Sequence, residues 1–573
     1  MMYARRPTWM GLAAFLVFVL ISSGVSVGPA RAEDNPKAIS APGLGADRIK
    51  SALFAAPGRR GTLDWSDDLT VNRSRFVDVK TALLSGAETR GAAALPAGAV
   101  VDLNLFDDVE FPAVLERLDP LASGGFTWVG RLENVDRSLV TLVVENDIVM
   151  GNIALPGGVM YQVRYAGNGV HAVREIDQSM FPPEAEPIPA ALRPSVQEPG
   201  MSSSAVAADS GSTIDVLVVY TPLARVAAGE TADAIQALIA LAVSETNSTY
   251  QNSGIDQRLN LVHTAEVNYT EGDMTNALYQ LTSTTDGIMD EVHSLRNTYC
   301  ADEVVLIVAT GAYCGISWVM SYVSAGFESH AFAVVLSNCA AGYFSFGHEL
   351  GHNMGAQHDW FVSSATLPYP YSHGYVNTVD RWRTVMAYND ACSSNGFNCT
   401  RIPYWSNPDV TYGGAPTGVP EGEAGAADNR KTLNTTAFTV ANFRQSCAGS
   451  PPAAAVPMSP TGIVNDTTPT YIWSSASDST TYYLAVTGTG GSVLQTSYTS
   501  EEVCFEDTCS VTPAAALVAG DYTWKIQTWN SFGYGPWSFD TSFTVKSGGP
   551  AGDGGIALNK ILMILLDLLD EEN

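Results

Sequence analysis

The chain has 573 residues, 46% of them hydrophobic, and a formal net charge of −29 at pH 7. Its length corresponds to about four domains of ordinary size, and its apolar fraction is ample for large cores. The charge excludes nucleic acid as a partner, because a phosphate backbone would be repelled. It leaves peptides open as substrates, because a peptide bond is neutral.

Residues 1–32 read as a secretory signal. Arg5 and Arg6 form the positive region, 11–22 is a mostly apolar run without charge, and Ala30-Arg31-Ala32 fits a cleavage site with Glu33 after the cut. The run is shorter than the ~18 residues a membrane span needs, so a cleaved leader and a secreted product are expected. Residues 33–200 are expected to be β-rich. Between 125 and 173 the runs FTWVGRL, SLVTLVVEN, VMGNIAL and VMYQVRY alternate apolar and polar positions between glycine breaks, the pattern of an antiparallel meander. This unit is a propeptide or a separate binding domain. The stretch 183–211 is rich in Pro, Ala, Ser and Gly and reads as exposed and protease-sensitive, with 201–211 as the linker proper.

From 212 to 448 an α/β order is expected. A buried strand at 213–220 precedes a helix at 231–250, a strand at 259–267, and a second long helix at 276–299. Strands follow at 303–309 and 331–337, the latter an edge strand beside a cleft. Next comes HELGHNMGAQHD, residues 348–359. His348 and His352 are four residues apart, which on a helix places both imidazoles on one face toward one metal ion. Gly355 can take the left-handed conformation that ends the helix, and the turn then brings His358 round as a third ligand. Three protein ligands leave a coordination position open, the mark of a catalytic rather than a structural zinc. Glu349 stands beside the first ligand as a general base. A loop-rich stretch with Tyr404-Trp405-Ser406-Asn407-Pro408 leads to a closing helix at 428–445.

This motif resembles the metzincin zinc endopeptidase signature, and Asp359 after the third histidine is similar to the reprolysin (adamalysin-like) branch. The resemblance covers about residues 212–448. It implies a twisted mixed sheet with long helices, one catalytic Zn2+ on His348, His352 and His358, and Gly355 and Asp359 as structural support. It also implies a methionine turn, matched by Thr384-Val385-Met386-Ala387-Tyr388, with Met386 as an apolar floor under the histidines. Tyr388 departs from the reprolysin pattern and looks more like astacins and serralysins, which makes it a candidate fifth ligand or oxyanion donor. Phe443 and Arg444 resemble the family's domain terminus. By the same resemblance residues 33–200 are a propeptide; since they hold no cysteine, any block must be steric or carboxylate-type. The pattern is also compatible with bacterial peptidyl-Asp endopeptidases, which only a primed-side pocket could decide.

Residues 452–546 change character. Trp473, Tyr482, Tyr483, Tyr522, Trp524 and Trp537 lie in short alternating runs such as YYLAVTG and YTWKIQTW, which read as a β-sandwich similar to fibronectin type III modules. Such aromatics more often fill a core than bind sugar, so a protein or polysaccharide ligand is left open. Residues 547–573 form a Gly-rich spacer and an apolar run at 556–569, broken by Lys560 and Asp567, that suits a short partner helix. Eight cysteines in an exported chain suggest disulfides. Cys392/Cys399 and Cys504/Cys509 are close enough for local bridges; Cys314/Cys339 with Cys300/Cys447 is one pairing of the rest, which spacing does not fix. His171, His263, His293, His330 and His373 lack paired spacing and fit surface or core roles. Calcium is unassigned.

The function expected is a secreted zinc metalloendopeptidase made as a zymogen and acting on proteins or peptides, which would add a strand at the 331–337 edge. The rival is a secreted binding or adhesion protein with an inactive protease-like domain, against which the intact Glu349 speaks.

Overall fold

The structure, a computed structural model, describes residues 48–546 apart from 64, 86–94, 96, 122–124, 191–208, 210, 446–451, 490, 506–507, 531–532 and 539. The expected signal, most of the 183–211 stretch and the 547–573 tail therefore lie outside the described residues.

Ten strands form the first sheet. From Val100–Phe106 through Val109–Pro120, Phe126–Leu132, Leu139–Glu145, Ile148–Ala154, Met160–Tyr165 and His171–Ile176 it is an up-and-down meander. Asn146 and Asp147 join two of these strands with φ of 46° and 66°, the backbone a tight hairpin turn requires and that Asn and Asp tolerate. The central strands are apolar on both faces for a physical reason. Leu142, Val149 and Val163 fill the sheet's own core, whereas Val143, Met150 and Met160 pack into the core of the domain that follows.

That domain holds a six-stranded sheet in the order Ile188–Pro189, Gly315–Val319, Phe332–Leu336, Glu303–Val308, Thr213–Tyr220, Arg258–Glu266. All neighbours are parallel except Gly315–Val319 against Phe332–Leu336. The helix Ala232–Ser253 starts where the Thr231 side chain accepts from the Ala234 N–H and stops at Gly254, φ 68°. Its alanines let it lie close to the sheet on one side and to Leu139–Glu145 and Ile148–Ala154 on the other.

Two expectations are corrected here. The segment 331–337 is not an edge: Phe332–Leu336 lies inside the sheet, and the edge of the domain proper is Gly315–Val319. The second long helix is broken into Met274–Thr282 and Glu291–Thr298. Between them Ser283-Thr284-Thr285-Asp286-Gly287 prefers turns, and Gly287 (φ 79°) and Met289 (φ 59°) leave helical space. The closing helix is Asn429–Val440, capped by the Asp428 carboxylate on the Lys431 N–H (2.8 Å).

In residues 452–546 two sheets share one core, which buries Trp473, Tyr482, Tyr522 and Trp524. Disulfides join Cys314 to Cys339, Cys392 to Cys399 and Cys504 to Cys509. The expected partner of Cys300, Cys447, lies outside the described residues.

Candidate active site

The helix Ser345–Asn353 is buried along its whole length against Gly315–Val319 and Phe332–Leu336. Two glycines of the motif have structural reasons. A Cβ on Gly351 would meet the Trp405 ring at 2.7 Å and Met386 Sδ at 3.0 Å. Gly355, φ 95°, turns the chain after the helix. The turn brings His358 against His348 and His352, and their ligand atoms lie within 4.8 Å of one another. His348 Nδ1 is 2.9 Å from Val385 O and His352 Nδ1 is 2.7 Å from Ala356 O. Those contacts assign the proton to Nδ1 and leave each Nε2 a bare acceptor. His358 Nε2 comes within 3.1 Å of His348 Nε2 and 3.0 Å of His352 Nε2. Three converging buried lone pairs are what a cation needs. Burial holds all three imidazoles neutral, with the pKa of His358 lowered to about 3. The residues fit one zinc ion.

The supports are equally local. Asp359 Oδ2 accepts from the Tyr388 N–H (2.8 Å) and Oδ1 from the Phe361 N–H (3.0 Å), tying the third-ligand loop to the methionine turn. Met386 is fully buried beneath the helix. His373, which the sequence left among core or surface residues, holds the same loop: its Nδ1 is 2.7 Å from His358 O and its ring stacks on Trp360.

Glu349 is fully buried. Its Oε2 accepts from Ser317 Oγ (2.6 Å), and its Oε1 has no partner among the described residues. Burial, then the nearby Glu184, pushes its carboxyl well above the usual range. Gly315 lies against it: a Cβ there would meet Oε1 at 2.4 Å.

Residues 183–189, read in sequence as exposed linker, instead run along the edge strand. The Ala185 N–H donates to Gly315 O and the Cys314 N–H to Pro183 O, 2.9 and 2.8 Å, and Ile188 and Pro189 pair in parallel with Trp318 and Val319. Glu184 and Ala185 are buried. The reason is an unpaired sheet edge, which a Pro-rich but extended segment can still cover. The Tyr388 ring lies 4.1 Å from that of His358, but its hydroxyl donates to Glu184 O (2.9 Å) and lies 3.1 Å from Ala185 O. In this state it serves neither a metal nor an oxyanion. Glu186 Oε2 stands 3.7 Å from His358 Nδ1. Glu184 is ion-paired with the buried Arg401 at 2.5 Å.

Sequence reasoning missed Ser317, Gly315, Glu184 and Arg401. None belongs to a local motif. Only the pairing of the edge strand and the loop after the methionine turn bring them to the histidines.

Residues 211–412 match the metallo-peptidase family M12B, reprolysin-like. The chain is 37% identical over 353 residues to a peptidyl-Asp metalloendopeptidase of Stenotrophomonas maltophilia, covering 58% of this chain and 80% of that protein. It is 36% identical over 380 residues to one of the same name from Xanthomonas campestris pv. campestris, covering 64% and 86%. A third, from Pseudomonas aeruginosa, is 31% identical over 258 residues, 40% of each chain.

Proposed function

The chain belongs to the reprolysin-like M12B family of metallopeptidases and is a zinc metalloendopeptidase, and from that premise we propose that it is exported as a zymogen whose cleft is closed by its own residues 183–189. One observation carries the reading. The strand edge beside the metal triad, where an extended peptide would add itself, is already taken by chain from the N-terminal side of the domain. The β-rich unit at 48–190 anchors that segment by packing on the domain's core through Val143, Met150 and Met160. Residues 191–208, rich in Ser, Pro and Ala, are the place for the activating cut. Three disulfides among the described residues support an oxidising, extracellular destination.

The zinc, when bound by His348, His352 and His358, supplies Lewis acidity toward a carbonyl and a water. The chain does the rest. Ser317 Oγ fixes one oxygen of Glu349, and the other, Oε1, is free to take a proton from water and return it to the leaving amine. Once residues 183–189 leave, the Tyr388 hydroxyl loses both carbonyl partners and can donate to the developing oxyanion. Proteins and peptides are the substrates, and we extend to this chain the aspartate preference in its relatives' names. No ligand is assigned to residues 452–546, because the aromatics Trp473, Tyr482, Tyr522 and Trp524 serve as core.

Casein hydrolysis by the full-length chain, before and after limited cleavage within 191–208, tests the reading. The expected result is a low rate that rises sharply on cleavage and vanishes with a chelator. An uncut chain as active per mole as the cut one would overturn the zymogen.

A further inference from the structure

A buried arginine needs acceptors for its N–H groups, and a carboxylate offsets its charge best. Arg401 is 3% exposed, and its partner is borrowed. Its Nη1 meets Glu184 Oε1 at 2.5 Å, with both side chains buried. Ser345 Oγ donates to the same oxygen at 2.7 Å. The guanidinium is steadied from behind, where Nη1 also donates to Tyr343 O (3.0 Å) and the group lies 4.3 Å over the Tyr343 ring. Arg383 stands behind that ring. It donates to the Tyr343 hydroxyl, Ala387 O and Cys399 O, all neutral acceptors, so it adds positive potential without a carboxylate of its own. Among the described residues, no carboxylate from 212 onward pairs with Arg401.

The socket adjoins the reacting centre. Ser345 lies one turn before His348 on the same helix. The carbonyl of Glu184 itself receives the Tyr388 hydroxyl, whose ring packs on His358. A residue seated with its side chain on Arg401 therefore has its main chain at the metal triad. When residues 183–189 leave, Arg401 loses the one ion-pair partner it has among the described residues and keeps the Ser345 hydroxyl beside it.

We propose that Arg401, with Ser345, is the specificity pocket of this protease: it takes the carboxylate of an aspartate or glutamate bordering the cleaved bond, and Glu184 occupies it in the uncut chain as a stand-in for that side chain. The assignment rests on the zymogen reading for the role of Glu184 and for the departure of residues 183–189 that opens the socket. Fork-like donors suit a carboxylate, and a buried charge left unpaired penalises every neutral side chain offered to it.

The test uses enzyme cut within 191–208 and matched peptides that differ at one residue, Asp, Glu, Asn or Lys, with the cleaved bond identified by mass spectrometry. The wild type should prefer Asp or Glu over Asn by ~10²-fold in kcat/KM, and Arg401→Met should collapse that ratio toward one. Arg401→Lys, which keeps the charge but loses the fork, should restore part of it. Absence of an acidic preference in the wild type, or its survival in Arg401→Met, would overturn the proposal. A second measurement is independent of whether the variants fold. The synthetic peptide of residues 183–189 should bind the cut wild-type enzyme at least ~10-fold more tightly with Glu184 than with Gln there, and equal binding would overturn the proposal. Failure of the zymogen reading shows separately, as full activity of the uncut chain, and leaves the preference measurement readable.

Discussion

Replacing Glu349 by Gln separates its chemical role from its structural cost. The amide keeps a carbonyl oxygen for the Ser317 hydroxyl (2.6 Å) and nearly the same volume. It cannot take a proton, so kcat/KM on casein-derived peptides should fall at least ~10²-fold while zinc content stays the same. Stability should move the other way in the chelated protein. Glu349 is fully buried, and Oε1 has no partner among the described residues. The amide leaves that position equally unpaired, so the gain comes from the charge alone: above its raised pKa the carboxylate costs about 1 kcal/mol or more beyond a neutral amide to keep inside. For a domain of this size, ~1 kcal/mol corresponds to ~2–4 °C, so metal-free Glu349→Gln should melt a few degrees higher than metal-free wild type. The assays are peptide hydrolysis, metal analysis and calorimetry after chelation. Retention of more than a few per cent of wild-type turnover, or a melting point several degrees lower, would refute the reasoning.

Other expectations follow from the same geometry. Gly315→Ala places a Cβ 2.4 Å from Glu349 Oε1; hydrolysis should drop ~10-fold or more through displacement of a proton-transfer group, with zinc bound as before, and an unchanged rate would show that the carboxylate does not work from this position. His358→Ala should lose most of the bound zinc, and acid should release it from the wild type, because each imidazole must be neutral to ligate; metal analysis showing a full complement in the variant would remove His358 from the ligand set. Glu245, on the helix Ala232–Ser253, joins the β-rich unit at 48–190 to the protease domain, accepting from Asn152 Nδ2 (2.7 Å) and the Gly342 N–H (2.6 Å). Burial pushes its carboxyl up to about 7, although Asn152, Gly342 and Arg164 oppose the shift. A raised acid pKa means the fold is least burdened below the ordinary carboxyl range and loses stability as pH rises from about 4.5 to 7, by roughly 3 kcal/mol. Glu245→Gln should match wild type at pH 4 and exceed it at pH 8 in denaturant unfolding of the uncut chain, and parallel pH profiles would contradict this.

What the sequence disclosed depended on range. His348, His352 and Gly355 act within one helix and its stop signal, so spacing alone conveys their chemistry. Asp359 needed only a family pattern. Gly315–Val319 escaped notice because GISWV is five residues long and lies between Cys314 and Met320 without alternation, since both its faces are buried. The near-continuous apolar strands Leu139–Glu145 and Ile148–Ala154 carried the same information in readable form: they are covered on both sides. The helix expected over 276–299 failed because apolar spacing persisted across a Ser-Thr-Thr-Asp-Gly turn, where local backbone preference prevailed. Glu184 and Arg401 are 217 residues apart, and no local pattern announces such a pair.

The central claim is that residues 183–189 plug the cleft of a zinc protease until the chain is cut downstream of them. N-terminal sequencing of the active species, paired with its specific activity, tests it most directly. The account predicts an active enzyme whose first residue falls between about 191 and 212, and a longer form that is nearly inert. An active species still beginning near Glu33, as active per mole as any shorter form, would contradict it.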